Sequence, residues 1–222
     1  YVEGKGAWSA TGRSAKQQAK LFDDDKEQVK LTAGIMWHKV ERQTDEMGLK
    51  AELTTFVPYT QDKVELTKVT ITNTSDTTQK ITSTVAIPMY ARSASNIRDH
   101  RHVTSLLHRT FTIKDGIMIY PTLTFDERGH NKNTVFYGAL AKEMINGKME
   151  SPFSFCPVTE EFIGEGGNFE NPYYVAKNKP LPYTEGQEVD GYETVAAIRF
   201  NDCELKPGES RSYVIALEYG TS

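Results

Sequence analysis

The stretch TFTIKDGIMIYPT, residues 110–122, gives the clearest indication of the fold. Isoleucine or phenylalanine occupies alternate positions on both sides of an Asp-Gly pair at residues 115–116. The alternating residues are Phe111, Ile113, Ile117 and Ile119. Alternation with a period of two is typical of β-strands, and an Asp-Gly pair between two such runs favours a tight turn. The stretch therefore predicts a β-hairpin.

Similar patterns occur on both sides of this hairpin. In ELKPGESRSYVIALEYG, residues 204–220, a Pro-Gly turn precedes a strand whose apolar side chains alternate with smaller or more polar ones. The predicted inward-facing row consists of Tyr213, Ile215, Leu217 and Tyr219. A polar run at residues 73–79 separates two further β-rich segments and predicts another strand pair. Long helical periodicity is missing, so we expect an all-β domain.

Composition restricts the functions that are open to the chain. A chain of 222 residues fits one all-β domain, which we place at residues 1–222. With 26 Lys and Arg against 30 Asp and Glu, a general attraction to nucleic acid or to an anionic membrane is not expected. No apolar run approaches the roughly 20 residues that span a bilayer. The cysteines, Cys156 and Cys203, lack CxxC spacing, which indicates reduced thiols and a cytoplasmic protein.

Residues 151–192 are rich in proline and glycine and show little periodicity, which predicts a long loop region. Loops of this length in compact domains are usually functional or form interfaces. Within it, GEGGN at residues 164–168 does not open a helix after a strand, so we expect a tight turn rather than a phosphate cradle. The region also supplies the side chains of an expected exposed apolar patch. They are Phe153, Phe155, Phe162, Tyr173 and Tyr174.

A second unusual stretch, SNIRDHRHVTSLLHR at residues 95–109, concentrates three of the five histidines and three arginines. On a strand, His100 and His102 would leave the same face, as ligand pairs do in many metal sites, with Asp99 or His108 as a third ligand. The arginines oppose a bound cation and favour carboxylate or phosphate recognition, or salt bridges across an interface. A hydrogen-bonded loop without a ligand is the third interpretation. We expect no metal here.

Familiar catalytic motifs are missing from the sequence. It contains no GxSxG elbow, GxxxxGK phosphate loop, HExxH helix or dinucleotide fingerprint. Acidic residues are many, yet none stands in a context that singles it out as a general acid. We therefore expect no catalytic residue and no cofactor in this chain.

Several further segments carry a resemblance when they are taken in order. They are WSATG from Trp8, LTTFVP from Leu53, VTITNTSD from Val69, EEFIGEGGNFENP from Glu160 and AAIRFNDCELKPGESRSYVIALEYG from Ala196. In this order they resemble the N-terminal domain of glycoside hydrolase family 94, the inverting glycoside phosphorylases, over nearly the whole chain. YARSASNIRDHRHVTSLLHR from Tyr90 is most similar to the branch that acts on β-1,2-linked oligoglucans.

The resemblance implies a large antiparallel β-supersandwich of the galactose mutarotase-like type. Complete family members continue into a helical linker, an (α/α)6 barrel and a small β domain, so we expect this chain to be an N-terminal part of a larger enzyme. The general acid of the family is an Asp on the barrel, and inorganic phosphate, the co-substrate, binds mainly there. No residue here matches that acid, and inverting phosphorolysis needs only one acid because phosphate replaces the water and base.

The function that follows is a non-catalytic domain of a β-glucan phosphorylase, which shapes the active-site entrance and supports contacts with the barrel. A homodimer is compatible with the sequence. The candidate residues at the substrate entrance or an interface are Arg98, Asp99, His100, Arg101, His102, Gly164, Gly166 and Asn168. One alternative is a stand-alone carbohydrate-binding module that stacks sugars on exposed aromatic residues such as Trp8, Tyr173, Tyr174 and Tyr183. Another alternative is a mutarotase-like sugar epimerase.

Overall fold

The structure, a computed structural model, describes residues 1–91, 105–126, 129–132 and 134–221. This part of the chain folds mainly into antiparallel β-strands, which confirms the predicted all-β class. The strands are β1 Gln28–Gly34, β2 Trp37–Thr44, β3 Leu49–Phe56, β4 Val64–Asn73, β5 Gln79–Ile81, β6 Thr84–Met89, β7 His108–Ile113, β8 Gly116–Pro121, β9 Leu123–Asp126, β10 Gly129–Lys132, β11 Val135–Ile145, β12 Lys148–Glu150, β13 Ser154–Val158, β14 Glu188–Asp190, β15 Thr194–Arg199, β16 Cys203–Leu205 and β17 Ser210–Thr221. The described helices are short: α1 Ala15–Ala19, α2 Thr159–Ile163 and α3 Tyr173–Ala176.

One ten-stranded sheet dominates the architecture. Its strand order is β1-β2-β3-β4-β17-β11-β8-β7-β14, with β12 paired to β11 beside this path. A three-stranded sheet, β13-β15-β6, is accompanied by two ribbons, β9-β10 and β5-β16. β17 pairs with both β4 and β11, so the last strand of the chain joins the two halves of the large sheet.

The main hydrophobic core lies between the large sheet and the three-stranded sheet. Leu49, Ile117 and Ile119 contribute from the large sheet, and Phe155 and Ile198 contribute from the small one. All five side chains are at most 2% exposed. Burial of this kind contributes about 1.5 to 3 kcal/mol for each large apolar side chain, which makes this layer the main source of stability.

Strand β15 is buried on both faces because helices cover its outer side. Ala196 and Ile198 face the main core, whereas Val195 and Ala197 face a second cluster built around Phe162 of α2. Cys156 belongs to this second cluster and is a free thiol, as is Cys203. Burial raises the pKa of the Cys156 thiol to about 12, so this thiol is inert at neutral pH.

The predicted hairpin at residues 110–122 is present as β7 and β8, but its turn lies one residue earlier than expected. Ile113 pairs with Gly116, so the loop is formed by residues 114–115. As a result Thr110 and Thr112 face the core beside Ile117 and Ile119, whereas Phe111 faces the other side. The buried threonine hydroxyls are satisfied by distant groups: that of Thr112 donates to the carbonyl of residue 184 at 2.7 Å.

The predicted row on β17 is confirmed for three of its four members. Tyr213 belongs to the main core, and the partly buried Ile215 and Leu217 pack against it. Tyr219 is 46% exposed near the end of the strand and packs against Tyr137, with ring centroids 6.4 Å apart.

The prediction that the two β-rich segments on either side of residues 73–79 pair with each other is wrong. β4 pairs with β3 and β17, whereas β5 pairs with β16 and β6 pairs with β15. The fully buried Asn73 explains the break, because its amide donates to the carbonyls of Thr77 and Leu205 at 2.7 and 2.8 Å. These bonds turn the chain out of the large sheet, and the two β-rich segments enter different sheets.

Candidate functional site

The GEGGN segment forms a compact turn between α2 and α3. Gly164 ends α2 with φ 80°, and its N–H donates to the carbonyl of Glu160 at 3.0 Å. The N–H of Gly167 donates to the carbonyl of Gly164, also at 3.0 Å. The side-chain oxygen of Asn168 then accepts the N–H groups of residues 170 and 171 at 2.9 and 3.1 Å. The turn prediction is thus confirmed.

Each of the three positions in this turn favours glycine for a different physical reason. A Cβ on Gly164 would lie 2.8 Å from the Cβ of Tyr173, so this glycine lets the tyrosine come close. Gly166 has φ 65° and open space around it, so only its backbone conformation favours glycine. A Cβ on Gly167 would lie 2.1 Å from the carbonyl oxygen of Ile163. Gly167, which the sequence reasoning did not select, is therefore the most constrained of the three.

An open depression of about 420 Å³ lies beside this turn, and we call it the tyrosine cleft. Its lining combines aromatic, acidic and backbone groups from α2, the turn, α3 and the segment before β15. The lining residues are Val158, Glu160, Glu161, Gly164, Glu165, Tyr173, Tyr174 and Tyr192. Tyr173 is 38% exposed and Tyr192 is 54% exposed, so both present ring surface to solvent.

The tyrosines of the cleft are held in place by specific contacts. Tyr173 and Tyr174 pack edge to face, with ring centroids 5.4 Å apart and an interplanar angle of 84°. The ammonium group of Lys179 donates a hydrogen bond to the hydroxyl of Tyr173. That bond lowers the pKa of Tyr173 and raises the pKa of Lys179. The two rings therefore keep a fixed mutual orientation at the rim.

Tyr183 supports the cleft from behind rather than lining it. Its hydroxyl donates to Oε1 of Glu161 at 3.2 Å, and its backbone exchanges two hydrogen bonds of 2.9 Å with Phe155. Burial and the bond to Glu161 raise the pKa of Tyr183 to about 12, so the hydroxyl stays protonated as a donor. The bond fixes one carboxylate of the lining in orientation.

Such a set of groups is suited to binding a neutral sugar. Exposed tyrosine rings offer apolar faces for the C–H side of a pyranose, and carboxylates accept hydrogen bonds from hydroxyl groups. Among the described residues, no group of three or more His, Cys, Asp or Glu is arranged to hold a metal ion. The rings and carboxylates of the lining can thus provide both stacking and hydrogen-bonding contacts to a sugar.

The sequence-predicted residues fall into two groups. Arg98, Asp99, His100, Arg101 and His102 lie outside the described residues. Gly164, Gly166 and Asn168 belong to one turn, and Gly164 lines the tyrosine cleft.

Two expectations about aromatic side chains need correction. The prediction that Phe155 and Phe162 belong to an exposed apolar patch is wrong, because these side chains are 2% and 0% exposed and lie within the two cores. Phe153 and Tyr173 are exposed, at 55% and 38%. Trp8 packs against the main core and its indole N–H donates to Glu27 at 2.7 Å, so it acts as an anchor rather than as a stacking platform.

The prediction that residues 151–192 form one long loop is also wrong in part. The region contains β13, α2, α3 and β14 in addition to the turn. Every residue of β13 is buried, because the strand is covered on both faces, and such a strand shows no alternation in its sequence. Tyr192, which lines the cleft, was missed because nothing in its own sequence neighbourhood relates it to residues 158–174.

A β-supersandwich is the class of domain that this architecture defines, as the sequence led us to expect. The family model described as "Glycosyl hydrolase 94, supersandwich domain" matches residues 3–222. The chain therefore belongs to the supersandwich domains of glycosyl hydrolase family 94. No curated protein sequence matches it significantly.

Three solved structures with partial similarity are remote from this chain in sequence, at 11 to 13% identity. A polysaccharide lyase has a TM-score of 0.46 at 11% identity, over 87% of this chain and 22% of its own. A GalM/aldose epimerase homologue from C. elegans has a TM-score of 0.42 at 12% identity, over 88% of this chain and 69% of its own. A GH36 α-galactosidase from Geobacillus stearothermophilus, in complex with raffinose, has a TM-score of 0.35 at 13% identity, over 98% of this chain and 27% of its own. The chain thus spans about a quarter of the lyase and of the galactosidase, and the family assignment rests on the family model.

Among the described residues, no helix is long and apolar enough to cross a bilayer.

Proposed function

We propose that this chain is the non-catalytic N-terminal domain of a cytoplasmic β-glucan phosphorylase. The parent enzyme would convert a β-1,2-oligoglucan and inorganic phosphate into glucose 1-phosphate and a shortened glucan. Its reaction would take place on an (α/α)6 barrel of the same polypeptide, with no cofactor other than the phosphate co-substrate. The match of the glycosyl hydrolase 94 supersandwich model to residues 3–222 is the observation that carries this proposal.

Within that enzyme, the supersandwich would shape the entrance to the active site through the segment that contains Arg98 and Arg101. Support comes from the two described anchors of the segment. β6 ends at Met89, which pairs with Thr194, and the carbonyl of His108 at the start of β7 accepts the N–H of Gly191 at 3.0 Å. Tyr192 of the tyrosine cleft lies between these two contacts. The described residues that flank the segment on both sides therefore lie beside the cleft.

Arginine is suited to this position for two reasons. Its planar guanidinium forms paired hydrogen bonds with carboxylates on a facing surface, and it also donates to sugar hydroxyls. Removing one partner of a desolvated charge pair costs about 2 to 5 kcal/mol in typical interfaces, whereas an exposed pair contributes less than about 1 kcal/mol. The free-energy costs of a buried and of an exposed pair differ enough for mutation of the arginines to distinguish them.

The test uses the complete enzyme with Arg98→Ala and Arg101→Ala, and measures kcat/KM for oligoglucan phosphorolysis together with the oligomeric state. We expect a loss of about tenfold or more in kcat/KM, or loss of assembly. Lys114→Ala is the matched control, because Lys114 is an exposed cation in the β7–β8 turn, at the opposite end of β7. If both arginine variants keep wild-type kcat/KM and assembly, the segment is only a solvated surface and the assignment is wrong.

A second candidate function, carbohydrate binding by the domain itself, is favoured by the tyrosine cleft. Two partly exposed tyrosine rings and three glutamates border one open depression. Titration of the chain with glucan oligosaccharides distinguishes the two candidates, because a purely structural domain would not bind them.

A further inference from the structure

The lining of the tyrosine cleft contains three carboxylates, and none of the described residues that line it is a lysine or an arginine. Glu160 and Glu161 belong to α2, and Glu165 follows Gly164 at the end of that helix. All three glutamates are exposed. Among the described residues, no cation forms an ion pair with any of them. Their negative charge is therefore balanced by no ion pair in this part of the chain.

The lysines close to the cleft are directed to Tyr173 instead. The ammonium group of Lys179 donates to the Tyr173 hydroxyl and lies 4.8 Å from the centroid of the same ring. The bond from Lys179 lowers the pKa of Tyr173, and the charge of Lys177 adds to this effect. Neither lysine lines the cleft. The positive charge is thus located at the hydroxyl end of Tyr173 rather than at the carboxylates of the lining.

Glu161 is the carboxylate whose orientation is fixed from the core. Its Oε1 accepts the hydroxyl of Tyr183 at 3.2 Å, and Tyr183 is held by two backbone hydrogen bonds to the buried Phe155. The other oxygen, Oε2, accepts no hydrogen bond from the described residues. One oxygen of Glu161 therefore anchors the side chain, while the other is available to a ligand in the cleft.

The charge of Glu161 acts on the side chains around it. Burial is the main reason why the pKa values of Tyr174, Tyr183 and Cys156 are raised, and the charge of Glu161 raises all three further. A carboxylate that disfavours negative charge on its neighbours also disfavours an anionic ligand in the same space. By the same reasoning, it favours a ligand with a positive charge.

Building on the carbohydrate binding suggested for the domain, we propose that the tyrosine cleft is a charge-selective saccharide site, with Glu161 as its specificity-determining residue. Neutral saccharides stack on Tyr173 and Tyr192 and donate hydroxyl hydrogen bonds to the carboxylates. A protonated amino group forms a charge-assisted bond in place of one of these. Sugar phosphates and sugar acids are repelled. The cleft thus accepts the glucan substrate of the proposed parent enzyme and excludes its anionic product, glucose 1-phosphate.

Acidic residues in the first turn of a helix also have a purely structural role, which the test must separate from selectivity. Glu160 and Glu161 lie in the first turn of α2, where negative charge interacts favourably with the helix dipole, and Val158 provides no side-chain cap. This role predicts a change in stability when the charge is removed. It predicts no change in the preference between neutral and charged ligands.

The test uses one disaccharide, sophorose, in three forms that differ at the reducing end. Reduction gives a neutral alditol, oxidation gives an anionic aldonate, and reductive amination gives a cationic amino-alditol. A disaccharide is small enough for its charged end to stay within a depression of about 420 Å³. Isothermal titration calorimetry on the chain measures the three affinities at low and at high ionic strength.

We expect the amino-alditol to bind most tightly at about 0.01 M ionic strength, where the Debye length is about 30 Å. The aldonate should bind at least about tenfold more weakly than the alditol, because three carboxylates repel it. At about 1 M ionic strength the Debye length is about 3 Å, and the three affinities should agree within about threefold. This salt dependence is measured on the wild type and needs no variant.

Glu161→Gln keeps the shape and an acceptor for Tyr183, and it should reduce the alditol-to-aldonate affinity ratio about threefold at low ionic strength. The matched control is Glu204→Gln, which changes the net charge equally at an exposed residue of β16 outside the cleft. It should keep the wild-type ratio. Far-UV circular dichroism checks that both variants are folded.

Equal affinities of the wild type for the alditol and the aldonate at low ionic strength would overturn the charge selectivity. A ratio that Glu161→Gln and Glu204→Gln change alike would overturn the role of Glu161. In both cases carbohydrate binding by the domain would stand. A chain that binds none of the three ligands would overturn the selectivity and the carbohydrate binding together. None of these outcomes bears on the phosphorylase function.

Discussion

Glu143 and Arg211 form an ion pair on the covered face of the large sheet, with Oε1 of the carboxylate 3.4 Å from Nη1 of the guanidinium. Glu143 is 2% exposed and pairs across the strands with the equally buried Tyr213. Burial raises the pKa of Glu143 above its ordinary value of 4.5, while the charge of Arg211 opposes that rise. The carboxylate is therefore harder to ionise in the folded protein than in the unfolded chain.

This shift predicts the direction of one pH effect on stability. Because the folded-state pKa is raised, the contribution of Glu143 to the free energy of unfolding is fully present below pH 4.5 and is lost as the pH rises through the folded-state pKa. Glu143→Gln keeps the shape and does not titrate. The stability of this variant relative to the wild type should therefore increase as the pH is raised from about 4 to about 7. Urea unfolding of both proteins at several pH values measures this relative stability. A stability difference that does not change with pH would contradict the raised pKa of Glu143.

A companion substitution tests the role of the cation. Arg211→Met should cost about 3 kcal/mol of the free energy of unfolding at neutral pH, because it leaves a buried carboxylate without its partner. Combining it with Glu143→Gln should recover most of that loss. If the double variant is as unstable as Arg211→Met alone, packing rather than charge explains the effect.

The N-terminal segment is attached to the large sheet through Glu27. Its carboxylate accepts hydrogen bonds from Trp8 at 2.7 Å, Gln17 at 2.8 Å and Arg42 at 2.9 Å. Glu27→Ala should lower the free energy of unfolding by about 2 kcal/mol or more, because three donors lose their acceptor. The control is Glu46→Ala, whose side chain is 61% exposed in its pair with Lys20 and should contribute less than about 1 kcal/mol. Equal losses for the two variants would rule out the anchoring role of Glu27.

The turn beside the tyrosine cleft predicts an order of glycine effects. Gly166→Ala should cost about 1 kcal/mol, because only the positive φ of 65° is unfavourable. Gly167→Ala should cost clearly more, because its Cβ would meet a backbone oxygen of α2 at 2.1 Å and the helix end would have to move. Chemical unfolding of both variants measures the order. The reverse order would show that the turn has a different conformation.

The tyrosine cleft predicts which residues a bound sugar would contact. If the domain binds β-1,2-oligoglucans, Tyr173→Ala and Tyr192→Ala should each weaken binding by up to about tenfold, the effect of removing one aromatic contact. Tyr219→Ala serves as the control, because Tyr219 is 46% exposed on β17 and does not line the cleft. Isothermal titration calorimetry measures the affinities. A wild-type chain that does not bind glucan, or binding that Tyr219→Ala weakens as strongly, would exclude the cleft as the sugar site.

Periodicity in the sequence predicted those strands that have one covered face. Ile117, Ile119, Tyr213, Ile215 and Leu217 all pack into the main core, because a half-buried strand must alternate. The same reasoning failed for β13, which is buried on both faces and therefore lacks alternation. It also failed for α2 and α3, which at five and four residues are too short for a helical period to be visible.

Long-range polar contacts were outside the reach of sequence reasoning. Thr112 is buried because its hydroxyl accepts the N–H of Gln187 at 2.8 Å, and no local pattern relates these positions. The tyrosine cleft likewise joins Glu161, Tyr173 and Tyr192 from separate elements. In contrast, the GEGGN turn was predictable, since its conformation depends on glycines within five consecutive residues.

The most direct test of the proposed function measures glucose 1-phosphate release from sophorose-type β-1,2-oligoglucans and phosphate, by the complete enzyme and by this chain alone. The complete enzyme should release glucose 1-phosphate from β-1,2-linked substrates in preference to β-1,3- and β-1,4-linked ones. The isolated chain should release none above a buffer blank, because the general acid and most of the phosphate site would lie on the barrel. Release by the isolated chain, or a complete enzyme that prefers another linkage, would contradict the proposal.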